Sequence, residues 1–200
     1  AGTYYVWAKD AAGNVSASST SASSSIKAYT ISRSQGTGTT LTTRYDSTTS
    51  STGTAFTSNT VVLHGTPIWA SATANSGYNT PTLKHGSTTM TASGGTFNAS
   101  ATETITSSAT ANTAKITINK DGGAYSGLTV ALYSGTTSKY TNPSYASGVY
   151  TFSAVANGTY NIYVGGSDTG VDITVSSTGT ATLNSEGELV LDGNTTWNVN

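Results

Sequence analysis

Cysteine is absent from the 200 residues of this chain. Disulfide bonds, thiol nucleophiles and thiolate metal sites are therefore all excluded. Small secreted domains of eukaryotes usually depend on disulfides. If this chain acts outside the cell, its lack of cysteine is more typical of a bacterial protein.

Charged residues are also scarce, at 8% of the chain against about 25% in ordinary globular proteins. The formal net charge is −1, which gives no basic surface for nucleic acid. No apolar run reaches the roughly 18 residues that a membrane-spanning helix needs, so we expect no membrane insertion. The polar surface must consist mainly of Ser, Thr, Asn and Gly, a composition that suits an extracellular location.

Alternation of apolar and polar residues is the strongest feature that the chain does have. Ala114, Ile116 and Ile118 alternate with polar residues, as the two faces of a half-buried strand require. The same pattern predicts further strands at 128–132, 150–154, 160–164, 171–175 and 181–183. Short strands at this spacing, without helical periodicity, favour an antiparallel β-sandwich.

Two glycine-bearing pairs in this region predict tight turns. Asn157-Gly158 predicts a type I′ hairpin, because both central residues of that turn need positive φ. Gly165-Gly166 predicts a second reversal of the chain directly after the next strand.

A resemblance appears at these residues, carried by K-D-G…G-L-T-V-A-L-Y…G-V-Y-T-F…V-A-N-G-T-Y-N-I-Y-V. Residues 112–184 resemble the prealbumin-like repeats of bacterial surface proteins, of the carboxypeptidase-regulatory-like and Cna B type. The resemblance implies a non-catalytic spacer. Some Cna B-type modules carry a Lys–Asn isopeptide bond promoted by a buried acid, and Lys115 or Lys120 would take the lysine's place. The interior strands here contain no Glu, so we expect no such bond.

A second β-rich region, at 27–111, is less regular. It contains the order V-x-L-H-G-x-P-I-W-A-S-A-T-A-N-S-G-Y, with short apolar segments before and after it. Over about 28–111 it resembles the divergent InlB B-repeat modules of surface proteins, although the usual Trp after "SGY" is absent. The resemblance implies a β-grasp-like sheet with little helix and no catalysis.

The two ends of the chain complete the predicted organisation. Residues 1–26 resemble the last strand of a bacterial immunoglobulin-like domain followed by a Ser-rich linker at 16–25. Residues 185–200 are either a last strand, around Leu189 and Leu191, or the start of another module. With no signal peptide in view, we expect the chain to be a piece of a longer secreted protein.

Metal-binding chemistry has few candidates. His64 and His85 could hold zinc with Glu103 or Asp46 as third ligand, but we favour separate positions for the two histidines. The pairs Asp168/Asp172 and Glu186/Glu188 are close enough to share calcium, and solvated turns are the favoured alternative. We predict no catalytic residue, no metal and no cofactor.

Aromatic residues are the better candidates for a binding site. Several fall out of the apolar phase, and on the outer face of a sandwich such rings can stack on sugar rings. The wider set contains Trp7, Tyr125 and Tyr163, and we select Trp69, Tyr133, Tyr140 and Tyr145 as candidate stacking residues. Ordinary half-buried packing is the alternative interpretation.

These observations favour an all-β fold with two small antiparallel β-domains in tandem, the C-terminal one a prealbumin- or Ig-like β-sandwich. The expected function is a non-catalytic structural and adhesive module of a bacterial cell-surface or secreted multidomain protein. A carbohydrate-binding accessory module of a glycan-active enzyme is the alternative. Expected partners are neighbouring domains of the same polypeptide and glycans or surface proteins of the host or cell wall.

Overall fold

The computed structural model describes residues 2–4, 7–16, 22–24, 26–120, 123–179, 181–183, 189–192 and 196–199. Within these ranges all regular structure is β-strand, so the predicted all-β class is confirmed. None of these residues belongs to a helix with the length and apolar content needed to cross a membrane.

The strands are numbered here in chain order. They are β1 (Gly2–Tyr4), β2 (Ala22–Ser24), β3 (Ala28–Gln35), β4 (Thr39–Tyr45), β5 (Thr54–Ala55), β6 (Thr60–Leu63), β7 (Pro67–Ala74), β8 (Thr82–His85), β9 (Thr88–Met90), β10 (Gly95–Asn98), β11 (Glu103–Ser108), β12 (Thr113–Lys120), β13 (Gly123–Ala124), β14 (Val130–Ser134), β15 (Thr137–Tyr140), β16 (Ser144–Ala146), β17 (Val149–Ser153), β18 (Gly158–Val164), β19 (Ser167–Val175), β20 (Ala181–Leu183), β21 (Leu189–Asp192) and β22 (Thr196–Val199).

The chain divides into two compact units whose segments interleave. The first unit contains Ala1–Ser34, Thr42–Ser71 and Lys84–Thr106. The second contains Gln35–Leu41, Ala72–Leu83 and Ser107–Asn200.

The strands between residues 28 and 108 form two sheets, with the orders β10-β7-β4-β5 and β6-β3-β11-β8-β9. This differs from the single β-grasp-like sheet that the resemblance implied. On β7 the predicted inward residues Ile68, Ala70 and Ala72 are buried, but Trp69 between the first two is buried as well, so burial does not alternate there. On β6 the buried residue is Val62, whereas its two neighbours are exposed, because β6 is an edge strand with one face on the core.

The C-terminal sandwich has the sheets β16-β17-β12-β21-β22 and β15-β14-β18-β19-β20. The alternating apolar residues of β12, β14, β17, β18 and β19 form one buried cluster between the two sheets. Ile116, Leu132, Ile162 and Ile173 in this cluster are at most 1% exposed. The predicted strands of this region are therefore present, although β17 ends at Ser153, before the predicted inward residue Ala154, which has a positive φ of 56°. The side chain of Leu183 on β20 is not among those described.

One pairing departs from a purely antiparallel arrangement. β12 pairs with β21 in parallel, in the register Ile118↔Leu189 to Lys120↔Leu191. Of the two alternatives for 185–200, a strand around Leu189 is present, and it lies beside the central strand β12 through a long-range pairing that local sequence does not encode.

The hairpin predicted at Asn157-Gly158 is wrong. β17 before it and β18 after it lie in different sheets, so the chain crosses between sheets there. Asn157 does not have the positive φ that a type I′ turn requires, and its Oδ1 accepts a hydrogen bond from Asn112 instead. The turn at Gly165-Gly166 is confirmed, with φ of 60° and 86° between β18 and β19.

The N-terminal segment also differs from the prediction. β1 pairs antiparallel with β2, which lies inside the stretch expected to be a linker. Between them, the Asp10 carboxylate accepts hydrogen bonds from the backbone of Ala12 and from the backbone and side chain of Asn14. These hydrogen bonds lower the pKa of Asp10, and those from Asn14 contribute most.

Truncation of a core residue tests the sandwich assignment. We expect Ile162→Ala to lower the free energy of unfolding by about 2–5 kcal/mol, because it removes buried methyl groups and leaves a cavity. Val61→Ala, at a position 68% exposed, is the control and should change it by less than about 0.5 kcal/mol. Urea unfolding measures both, and similar effects for the two variants would contradict the assigned core.

Candidate functional site

Trp69 lies in the core rather than on a binding surface. It is 8% exposed on β7, opposite Thr96 of β10. A Cβ built on Gly94 would lie 3.1 Å from the indole, so backbone covers the ring closely. A buried indole presents no ring face to a ligand, and the structure removes Trp69 from the candidate surface.

Tyr140 serves the C-terminal core. Its ring meets the edge of Tyr160 at a centroid distance of 5.5 Å, and its hydroxyl accepts a hydrogen bond of 2.8 Å from the Ala156 amide. Tyr160 in turn donates its hydroxyl hydrogen to the Ala156 carbonyl at 2.9 Å. Both tyrosines therefore hold the crossover before β18, and Tyr140 is a structural residue.

Tyr145 is exposed but stands apart from Tyr133. It lies on the edge strand β16, 40% exposed, with its ring 4.8 Å from that of Tyr150. Tyr133 belongs to β14 in the opposite sheet of the sandwich. The predicted aromatic residues therefore do not form one cluster.

Tyr133 and Tyr163 form a stacked pair, with ring centroids 3.9 Å apart and an interplanar angle of 20°. The inward residues of β14 and β18 are Val130, Leu132, Ile162 and their neighbours in the core cluster, so the tyrosines lie on the outer face. Ala131, directly opposite Tyr163 on that face, is only 7% exposed. We name the outer residues Tyr133, Asn161, Tyr163, Asp168 and Asp172 the tyrosine face.

A register irregularity places a carboxylate beside the pair. Between Asn161↔Asp172 and Tyr163↔Asp168, β19 has two residues more than β18. Thr169 fixes this bulge, because its buried Oγ1 donates to the Ile162 carbonyl at 2.8 Å. Bulges commonly re-aim side chains near functional sites, and this one sets Asp168 opposite Tyr163.

Polar side chains continue the tyrosine face across β18 and β19. Asn161 Nδ2 donates to Asp172 Oδ1 at 2.8 Å, and Gly170 donates its amide hydrogen to Asp168 Oδ1 at 2.9 Å. Burial, followed by the neighbouring Asp168 carboxylate, raises the pKa of Tyr163. The face therefore combines aromatic rings with carboxyl and amide hydrogen-bonding groups.

The predicted metal ligands do not converge. His85 Nδ1 lies 3.0 Å from Glu103 Oε2, and the His85 ring stacks on Phe97 at 4.1 Å. His64 instead meets the edge of Tyr29. No three His, Asp or Glu side chains come together in the part of the chain that the structure describes.

The other predicted ligands are placed as follows. Asp168 and Asp172 are hydrogen-bonded as given above, whereas Glu186 and Glu188 lie outside the described residues. Lys115 is exposed on β12, and the side chain of Lys120 is not among those described.

Neither a protein-family model nor a curated protein sequence matches this chain.

Sequence reasoning selected Tyr133 and missed its neighbours. Tyr163 belonged to the wider set of out-of-phase aromatic residues. Its stacking on Tyr133 depends on the register between two strands, and the apolar–polar pattern of one strand does not determine that register. An available signal was Gly170, an isolated glycine inside a strand pattern, which often marks a bulge. It would have indicated that Asp168 and Asp172 share one face of β19 with a bulge between them.

Alkaline unfolding tests the buried tyrosine pair. Burial, and then Tyr140, raise the pKa of Tyr160 to about 12 from its usual value near 10. The unfolded chain therefore loses this proton before the folded chain does. The resulting stability is present below pH ~10 and is lost as the pH rises towards ~12. We expect Tyr160→Phe to show a shallower alkaline decline in the free energy of unfolding, and parallel declines would contradict this account.

Proposed function

We propose that this chain is a non-catalytic structural and adhesive module of a bacterial cell-surface or secreted multidomain protein. Its role is to carry neighbouring domains of the same polypeptide at a fixed spacing from the surface. The observation that supports this most strongly is the hydrogen-bonded junction between β11 and β12, where a flexible linker would otherwise allow bending.

The junction is short and centred on a buried amide. Only residues 109–112 separate β11 from β12, and Asn112 is 1% exposed. Its Nδ2 donates to the Val155 carbonyl at 3.1 Å and to Asn157 Oδ1 at 3.2 Å. Its backbone amide donates to the Gly77 carbonyl at 2.8 Å. One residue therefore ties together three separate parts of the second compact unit.

Backbone contacts around Asn112 are equally close. Gly77 has φ of 85°, and a Cβ there would lie 2.2 Å from the Ala154 carbonyl oxygen, so only glycine fits. The Asn79 and Thr110 segments exchange two hydrogen bonds, from Asn79 N to Thr110 O at 3.0 Å and from Thr110 N to Asn79 Oδ1 at 2.9 Å. Rotation about the junction would break these bonds.

The buried amide lies where the two resemblances meet, whereas the compact units divide elsewhere, since Ala72–Leu83 and Ser107–Asn200 belong to the same unit. The resemblances end one module near residue 111 and begin the next at 112, which is where the buried amide lies. A chain of β-modules keeps its domains at a fixed distance from one another only if the connections between modules are ordered. Flexible linkers behave as random coils and do not fix that distance. The Ser- and Thr-rich surface with few charges is consistent with an extracellular location.

The test measures the spread of one distance across the junction. Since the chain has no cysteine, Thr73→Cys and Ser177→Cys add two unique labelling positions on exposed residues of the second unit. Pulsed electron paramagnetic resonance between nitroxide labels should give one narrow distance distribution. Asn112→Ala in that background should broaden it, because two acceptors lose their donor at a cost of about 1–3 kcal/mol each.

Asn98→Ala, at an exposed asparagine on β10, serves as the matched control and should leave the distribution narrow. A broad distribution in the parent protein, with strands intact by circular dichroism, would overturn the structural proposal.

A further inference from the structure

We infer that the tyrosine face binds a neutral glycan, with one pyranose ring stacked on the Tyr133–Tyr163 pair. This binding activity goes beyond the structural role proposed above. Three features of the molecule support it: the aromatic pair, the polar groups beside the rings and the charged residues of the strands that carry them.

The aromatic pair is preformed, and because the two half-buried rings stack face to face, the apolar surface left for a ligand is the outward ring face of the pair. Because Tyr133 and Tyr163 already stack on each other at 3.9 Å, ligand binding does not need to order either ring. Their packing over Ala131 fixes the pair to the sheet. Tyrosine combines a large rigid contact area with a polar hydroxyl, which suits a sugar with apolar C–H faces and polar edges.

The polar groups lie at one side of the rings. The bulge in β19 places Asp168 directly across from Tyr163, and the Asn161–Asp172 pair follows one register step away. Carboxylates accept hydrogen bonds from hydroxyl groups strongly, because the acceptor is charged. From β14 to β19 the face spans two strand spacings, about 10 Å, a distance that two linked sugar rings cover.

The charge of the face selects against anionic ligands. β14, β18 and β19 contain no Lys or Arg, and both of their charged residues, Asp168 and Asp172, belong to the tyrosine face. The paired strand β15 adds one exposed lysine, Lys139, next to the Ser138 partner of Tyr133, so two carboxylates stand against one ammonium group. Phosphate, sulfate or uronate groups would meet like charge here, which costs affinity. The ligand class that fits is a neutral hexopyranose oligosaccharide.

Titration calorimetry with cellohexaose, mannohexaose and the anionic hexagalacturonate tests this inference. The parent protein should bind at least one of the two neutral sugars more tightly than the anionic one. Tyr133→Ala and Tyr163→Ala should each weaken that binding about tenfold or more. Asp168→Asn, which keeps the size of the side chain, should weaken it as well.

Tyr145→Ala is the matched control, because Tyr145 is exposed on the opposite sheet. It should bind as the parent does. Amide shifts of Asn161 and Tyr163 in the parent protein, measured by NMR during the same titration, test the location even if a tyrosine variant fails to fold.

Several results would overturn the inference. They are no binding of either neutral sugar by the folded parent, preference for hexagalacturonate, equal loss in Tyr145→Ala, or shifts confined to residues away from the tyrosine face. None of these results concerns the Asn112 junction. Failure of the glycan inference can therefore be distinguished from failure of the structural proposal.

Discussion

The buried side chain of Asn112 is the constraint on which the organisation of the second compact unit depends. Nδ2 of this buried primary amide uses both of its hydrogens, whereas its buried Oδ1 has no hydrogen-bond partner among the described residues, so the amide is satisfied on its donor side only. Its acceptors, Val155 and Asn157, precede β18, while its backbone bond reaches Gly77 after β7. Residues far apart in the sequence therefore have to be placed together before the donors of Asn112 are satisfied.

Neighbouring side chains on the same strands serve different purposes. On β18, Ile162 enters the core between the sheets, while Asn161 and Tyr163 point to the opposite side. Because strand geometry alternates the two faces, the core can be filled without altering the outer surface. The core and the proposed binding surface thus use alternate residues of the same strand. The bulge at Thr169 shifts the register by two residues, an even number, so it does not exchange the two faces.

Local pattern predicted the strands well because alternation is a local property. Ile116, Ile162 and Ile173 are buried as their spacing indicated. Pairings were not predictable in the same way. Asn157-Gly158 has the residues of a hairpin, yet the strands before and after it, β17 and β18, lie in different sheets. Asn157 instead accepts a hydrogen bond from Asn112, 45 positions away in the sequence. For the candidate site, the pattern selected both Tyr133 and Trp69 as out-of-phase rings. It could not tell that the segment around Gly94 lies against the indole of Trp69, because that contact is not local in sequence.

Amide hydrogen exchange at the junction tests the central claim most directly. If the junction is an ordered part of the fold, the amides of Asn79, Thr110, Asn112 and Val155 should exchange as slowly as those of β12, because opening them requires cooperative unfolding. Exchange at the rate of an exposed loop, while β12 stays protected, would contradict this. The chain would then be a pair of β-domains on a flexible tether.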